Sequence, residues 1–148
     1  MDEHIKKRHN VSLLLYHIVC PAKYRRVIFD KDEIENTLKD ICYEIEKRYE
    51  IRFIEIGTDD DHVHFLVQSI PNYSPKKIVQ TIKSITAREM FIRQPSVKKK
   101  LWGGEFWSKG YYMSTVGYKG DLNAMKRYIQ NQGTGKNYKP LFQQSLDL

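Results

Sequence analysis

Residues 51–70, IRFIEIGTDDDHVHFLVQSI, decide the fold. Ile51 to Gly57 places Ile51 and Phe53 at alternate positions, as a strand does. Thr58-Asp59-Asp60-Asp61 supplies turn formers, and a second apolar run follows from His62 to Ile70. Two strands joined this closely form a hairpin, and a hairpin is antiparallel. Upstream, Val11 to Val19 is rich in Val, Leu, Ile and Tyr, which predicts a strand that is apolar on both faces and therefore central; Cys20-Pro21 ends it. Asp30-Lys31-Asp32-Glu33 starts a helix, in which Ile34, Leu38, Ile41 and Ile45 recur at helical spacing up to Tyr49. Downstream, Ser74 as cap and Pro75 at the first helical position start a second helix with Ile78, Ile82, Ile85 and Ile92 as its buried stripe. Pro95 to Lys109 reads as a loop that carries Lys98-Lys99-Lys100 and two tryptophans, and Gly110 to Val116 as a fourth strand. A last helix is expected from Leu122 to Gln132, capped by Asp121 and closed by Gly133.

The order strand-helix-strand-strand-helix-strand-helix predicts an α+β fold: a ferredoxin-like antiparallel sheet with helices on one face, plus a C-terminal helix. At 148 residues the whole chain, 1–148, has the size of one domain. A domain of that length buries about two-thirds of its unfolded surface without disulfides. Its apolar fraction of 41% and charged fraction of 29% exclude a disordered or collagen-like chain. Cys20 and Cys42 make no C-x-x-C pair, which argues for a reduced, cytoplasmic setting. The most apolar run, Val11 to Cys20, contains Ser12, Tyr16 and His17 and falls short of the roughly 18 residues of a membrane span, so no membrane partner is expected. Met1-Asp2-Glu3 lacks the order of an export signal. A net charge of +7 points toward a polyanionic partner.

In Asp61-His62-Val63-His64-Phe65-Leu66-Val67, alternation sends His62 and His64 to one face and Val63 and Phe65 to the other. Imidazoles at such positions lie about 7 Å apart at the backbone and can close on one metal ion. The plainer alternative is a polar pair on a solvated strand face. Asp60 shares the parity of His62, whereas Asp61 should point away from the pair. On the last helix Tyr128 and Gln132 are four apart and share one face, at the edge of the stripe formed by Leu122, Met125 and Ile129. A boundary tyrosine that merely covers the core would look the same. A tyrosine near pH 7 is a poor nucleophile, since its ordinary pKa is about 10, and it needs a polarised phosphate to attack. Lys23, Arg25, Arg26, Lys98, Lys99 and Lys100 are candidate DNA contacts. With Lys76, Lys83, Trp102, Trp107 and Tyr111 they mix charge and stacking surface as single-strand binding requires, although many of the aromatics, Trp102 or Trp107 especially, are expected in the core.

Together these segments resemble, in order and over nearly the whole chain, the HUH single-tyrosine transposases of small single-strand insertion sequences. Cys20-Pro21-Ala22-Lys23-Tyr24-Arg25-Arg26 is similar to their early basic segment and Asp61-His62-Val63-His64 to their His-hydrophobic-His strand. Leu101 to Tyr112 and Thr115-Val116-Gly117 are similar to their aromatic loop and the strand after it, and Tyr128-Ile129-Gln130-Asn131-Gln132 to their nucleophile helix. The resemblance implies a DNA transposase in which Tyr128 attacks a phosphate to give a 5′-phosphotyrosine. It implies that His62, His64 and Gln132 hold magnesium or manganese, and that single-stranded DNA, with hairpin ends, is the partner. It also implies a homodimer whose tyrosine helices can be shared between subunits, with Gly117, Gly120, Gly133 and Gly135 as hinge candidates. The alternatives are a domesticated repeat-associated relative, a replication-type nickase, or a non-catalytic RNA- or DNA-binding module. A nucleotide hydrolase with alternating histidines is disfavoured, because the third alternate position is Leu66.

Overall fold

The computed structural model describes residues 4–6, 11–117 and 120–132. Its strands are β1 (Ile5–Lys6), β2 (Val11–Ser12), β3 (Leu14–Pro21), β4 (Arg52–Asp59), β5 (His62–Ser69) and β6 (Tyr112–Thr115). Its α-helices are α1 (Asp32–Arg48), α2 (Pro75–Arg93), α3 (Pro95–Lys100) and α4 (Gly120–Gln130), and a single 3-10 turn spans Lys23–Arg25 among the described residues. The main sheet has the order β4-β5-β3-β6 and is antiparallel at every pair; β1 and β2 form a separate small ribbon. The α+β arrangement expected from the sequence is therefore present, with β3 and β5 central as their apolar character requires.

Each face of the sheet has its own core. Ile18, Cys20, Val63, Phe65 and Val67 pack under α1 and α2, together with Ile34, Leu38, Ile41, Ile78 and Ile82. On the other face Leu15 and Leu66 meet Leu122 and Ile129 of α4. Full burial of each such side chain is worth about 1.5–3 kcal/mol, so the first core carries most of the stability and the second suffices to hold one helix.

Ser74 caps α2 as expected: its side chain accepts the Lys77 backbone N–H at 3.0 Å, with Pro75 in the first turn. Other expectations shift. In β4 the pairing runs Phe53 to Val67 and then Glu55 to Leu66, so a bulge inserts one residue. That bulge lets Phe53 and Ile56, three apart, both face the main core. Ile92 is 65% exposed rather than buried, because the end of α2 turns Met90 and Phe91 inward against the segment holding Phe106 and Trp107. Pro95 begins a short helix, not a loop, and the basic triplet occupies its last turn. α4 begins at Gly120, which places Asp121 inside the first turn instead of at the cap. Gly133 and Gly135 lie outside the described residues.

Two backbone features matter for the site. Tyr24 and Arg25 both take the left-handed region, φ 58° and 53°, at a cost of about 1–2 kcal/mol each for side-chain-bearing residues. Gly57 lies directly across from His64 in the β4–β5 register. A methyl group at Gly57 would run into the carbonyl oxygen of Ile129, so its bare hydrogen is what lets α4 settle onto the sheet beside His64.

Candidate active site

β5 delivers His62 and His64 to the face covered by α4, and both are buried. Their ring centroids are 5.0 Å apart. From α4, Tyr128 stands edge-on over His64, with 5.6 Å between centroids. Gln132, just past the end of the helix, is 6% exposed, and its amide Nε2 donates to the Tyr128 carbonyl oxygen at 3.2 Å. The structure thus brings the two histidines and Tyr128 together on one sheet face and buries Gln132 on the same helical segment. The solvated-face alternative for His62 and His64 does not hold.

The partners of the imidazoles fix what their outward nitrogens can do. Asp61 holds His62: the Nδ1–H donates to Asp61 Oδ1 at 2.7 Å, while Arg25 Nε donates to Asp61 Oδ2 at 3.1 Å. Burial pushes the Asp61 carboxyl up, but the hydrogen bonds from His62 and Arg25 outweigh it and hold the pKa below its ordinary value. Asp61 is therefore an acceptor only, and a neutral His62 keeps a lone pair on Nε2. Strand parity favours Asp60 over Asp61, but three consecutive aspartates at a hairpin tip read first as turn formers, and residues 60 and 61 do lie in the turn before the pleat of β5 begins; the departure from the expectation is that Asp61 reaches His62.

His17 of β3 is the participant that motif reasoning missed. It is fully buried, and its Nε2 lies 2.9 Å from His64 Nδ1, with ring planes 12° apart. Its ring is also edge-on to Tyr128, 6.4 Å between centroids. Burial lowers the His17 pKa to about 4. Burial, and then the neighbouring His17 and His64's other neighbour His62, push His64 well below its ordinary value. Both rings are neutral at pH 7, so one donates to the other. If His64 donates through Nδ1, its Nε2 carries a lone pair. A signal was present in the sequence: a histidine in the middle of an otherwise apolar central strand needs a buried partner.

Burial raises the Tyr128 phenol above its usual value; Gln132 pulls it back and the Asp59 charge adds to the rise. Among the described residues three buried polar atoms, His62 Nε2, His64 Nε2 and Gln132 Oε1, have no hydrogen-bond partner. Orphaned buried polar atoms are costly, and two imidazole nitrogens with one amide oxygen are a donor set that suits a divalent cation. Among the described residues no three histidine, cysteine or carboxylate side chains gather to hold a metal.

The family model for IS200-like transposases matches residues 10–132, spanning the sheet, the histidine pair and the tyrosine helix. The chain belongs to the IS200-like transposase family. The ISDra2 transposase TnpA of Deinococcus radiodurans is 33% identical to this transposase over 127 residues, covering 86% of this chain and 89% of the relative. The transposase for insertion sequence element IS200 of Salmonella typhimurium is 30% identical over 120 residues, 79% of this chain and 75% of that one. Among solved structures, the crystal structure of a Deinococcus radiodurans transposase superposes with a TM-score of 0.69 at 30% identity, covering 88% of this chain and 99% of that chain. A REP-associated tyrosine transposase bound to a REP hairpin shares the fold, with a TM-score of 0.57 at 10% identity over 84% of this chain and 69% of that one. The reading as a non-catalytic binding module is set aside by this membership.

The six basic candidates of the transposase divide into two sets. Lys23 is engaged by Glu105 at 2.6 Å and Arg25 by Asp61, so both brace the site's edge. Arg26 and Lys98, Lys99 and Lys100 are exposed. Lys83, also basic and near the aromatic segment, is a strut: its Nζ donates to the Ser108 and Lys109 carbonyl oxygens at 2.7 and 3.3 Å. Trp107 is core, its Nε1 donating to Thr86 Oγ1 at 2.9 Å, whereas Trp102 is 68% exposed. Among the described residues no helix of the transposase is long and apolar enough to cross a membrane.

Proposed function

We propose that this transposase cleaves and rejoins single-stranded DNA at the ends of an insertion sequence, with Tyr128 as nucleophile and His62, His64 and Gln132 as holders of a magnesium or manganese ion. The observation that carries the reading is the Tyr128 ring standing over His64, beside three buried polar atoms that have no partner among the described residues. Attack of the phenolic oxygen on phosphorus forms one O–P bond as the bond to the 3′-oxygen breaks. The phenol loses its proton, the departing 3′-oxygen gains one, and the products are a 5′-phosphotyrosine and a 3′-hydroxyl. One phosphoester replaces another, so rejoining needs no outside energy source.

Burial makes the phenol a weaker acid than a free tyrosine, so attack at neutral pH depends on making the phosphate more electrophilic. A bound cation would supply that polarisation and stabilise charge on the leaving oxygen. The chain's own share is positional. Asp61 and His17 orient the two imidazoles, and α4 sets the phenol against them. Ligand softness alone would admit zinc; the resemblance to the HUH single-tyrosine transposases favours magnesium or manganese. The same resemblance supports hairpin-bearing DNA ends as substrate and a homodimer as the working form.

The test is a labelled single-stranded hairpin oligonucleotide incubated with the full chain and magnesium. A covalent protein–DNA adduct should form, vanish with chelator and be abolished by Tyr128→Phe. An adduct that survives Tyr128→Phe would move the nucleophile elsewhere, and one that survives chelation would remove the cation from the mechanism.

A further inference from the structure

We propose that Tyr24 and Trp102 form a stacking platform for an unpaired base of the bound DNA strand, at the edge of the histidine site. The inference rests on the single-stranded substrate proposed above and names a surface that takes hold of it. Among the described residues five large hydrophobic side chains are exposed, and three of them, Tyr24, Val27 and Trp102, belong to one neighbourhood. Tyr24 and Trp102 are 60% and 68% exposed, yet their rings stack on each other with 6.2 Å between centroids and planes 28° apart. Val27 joins Tyr24, Arg25, Arg26 and Lys100 in lining an open groove of about 420 Å³ beside the pair. Apolar surface gathered in one exposed place, and not folded into either core, marks an interaction site.

Charge selects the occupant. Lys23 Nζ lies 5.2 Å and the Arg26 guanidinium carbon 6.0 Å from the Tyr24 ring centroid. Exposed Lys98, Lys99 and Lys100 close the α3 turn that leads into Trp102. Flat π surface ringed by cations matches a nucleobase on a phosphate backbone, whose face stacks while its charge is neutralised. The platform is also held by unusual backbone: Tyr24 and Arg25 adopt strained left-handed backbone in succession, and Gly103 and Gly104, which take positive φ without strain, follow Trp102 at φ 106° and 82°. The Arg25 end of that strained turn hydrogen-bonds Asp61, which holds His62, so the turn that displays Tyr24 is tied to the site where cleavage occurs.

The experiment uses the full chain with Tyr128→Phe, so that binding is read without cleavage. Its probes are a mixed-sequence single strand carrying a fluorescent adenine analogue, the same strand annealed to its complement, and a strand of the same length with abasic positions. Tyr24→Ala and Trp102→Ala should each weaken single-strand binding about tenfold and reduce quenching of the analogue, while Tyr24→Phe and Trp102→Phe retain both. Duplex and abasic binding, governed by phosphates, should change less than twofold. Equal loss on the single and abasic strands would overturn the platform, as would alanine variants that bind the single strand like their parent. If the parent itself fails to bind the single strand, the substrate assignment falls and takes the platform with it. Both positions are exposed, and matched unfolding midpoints verify that each of the four variants folds.

Discussion

At the scale of single residues, the site turns on which atom of each imidazole carries the proton. Asp61 settles this for His62, and His17 is placed to settle it for His64 by accepting from Nδ1. His17→Gln keeps an acceptor there and should retain manganese affinity within a few-fold, whereas His17→Leu should lose roughly 10- to 100-fold, as outer-shell losses at metal sites do. Calorimetric titration of the DNA-free protein reads this directly, and equal affinities for the two variants would remove His17 from the orienting role. The same residue sets a pH dependence. Its folded pKa of about 4 lies below the unfolded value of 6.5, so between those values the unfolded chain binds more protons than the folded one. Stability then rises with pH across that window and is fully present above it, by up to roughly 3 kcal/mol from His17, with His64 adding in the same direction. Urea midpoints in chelator should fall from pH 7 to pH 5, and His17→Gln should flatten the fall.

At the scale of elements, β4 and α4 define each other. Gly57 faces His64 across the hairpin and has no room for a methyl beneath Ile129. Gly57→Ala should lift α4 at a stability cost of about 1–3 kcal/mol and slow adduct formation roughly a hundredfold, since small misplacements of reacting groups are costly. Near-ultraviolet circular dichroism should report the main core intact; parental cleavage by this variant would mean that α4 does not rest on Gly57 during chemistry. The elements also show what sequence can carry. The hairpin, the Ser74-Pro75 start and the His62/His64 face were legible because each follows from local chemistry or strict alternation. The β4 bulge, the outward Ile92 and the engagement of Asp61 were not, because each depends on a neighbour distant in sequence: β5 for the bulge, Phe106 for Ile92, Arg25 for Asp61. His17 was visible as an odd residue in an apolar strand, but its partner lies 47 positions away.

At the scale of the molecule, the proposed dimer makes a claim about which chain supplies the tyrosine. In this structure α4 lies on its own sheet, so a single chain can assemble Tyr128 with His64. The resemblance to the HUH transposases implies exchange between subunits, and mixing Tyr128→Phe with His64→Ala protein should then restore part of the cleavage that neither shows alone. Well-formed mixed dimers without activity would confine each tyrosine to its own histidines. The two-sided sheet bears on the outcome. Among the described residues twenty-four buried side chains form the core beneath α1 and α2, whereas four, with Leu13, Ile54, Val116, Met125 and Tyr128 packed against them, form the one beneath α4. The asymmetry predicts that α4 can lift from its face of the sheet while the core beneath α1 and α2 stays folded. If Tyr128 is the nucleophile proposed above, it sits on the half of the protein that is easier to undo, which would suit an exchange that releases one DNA end before another is taken up.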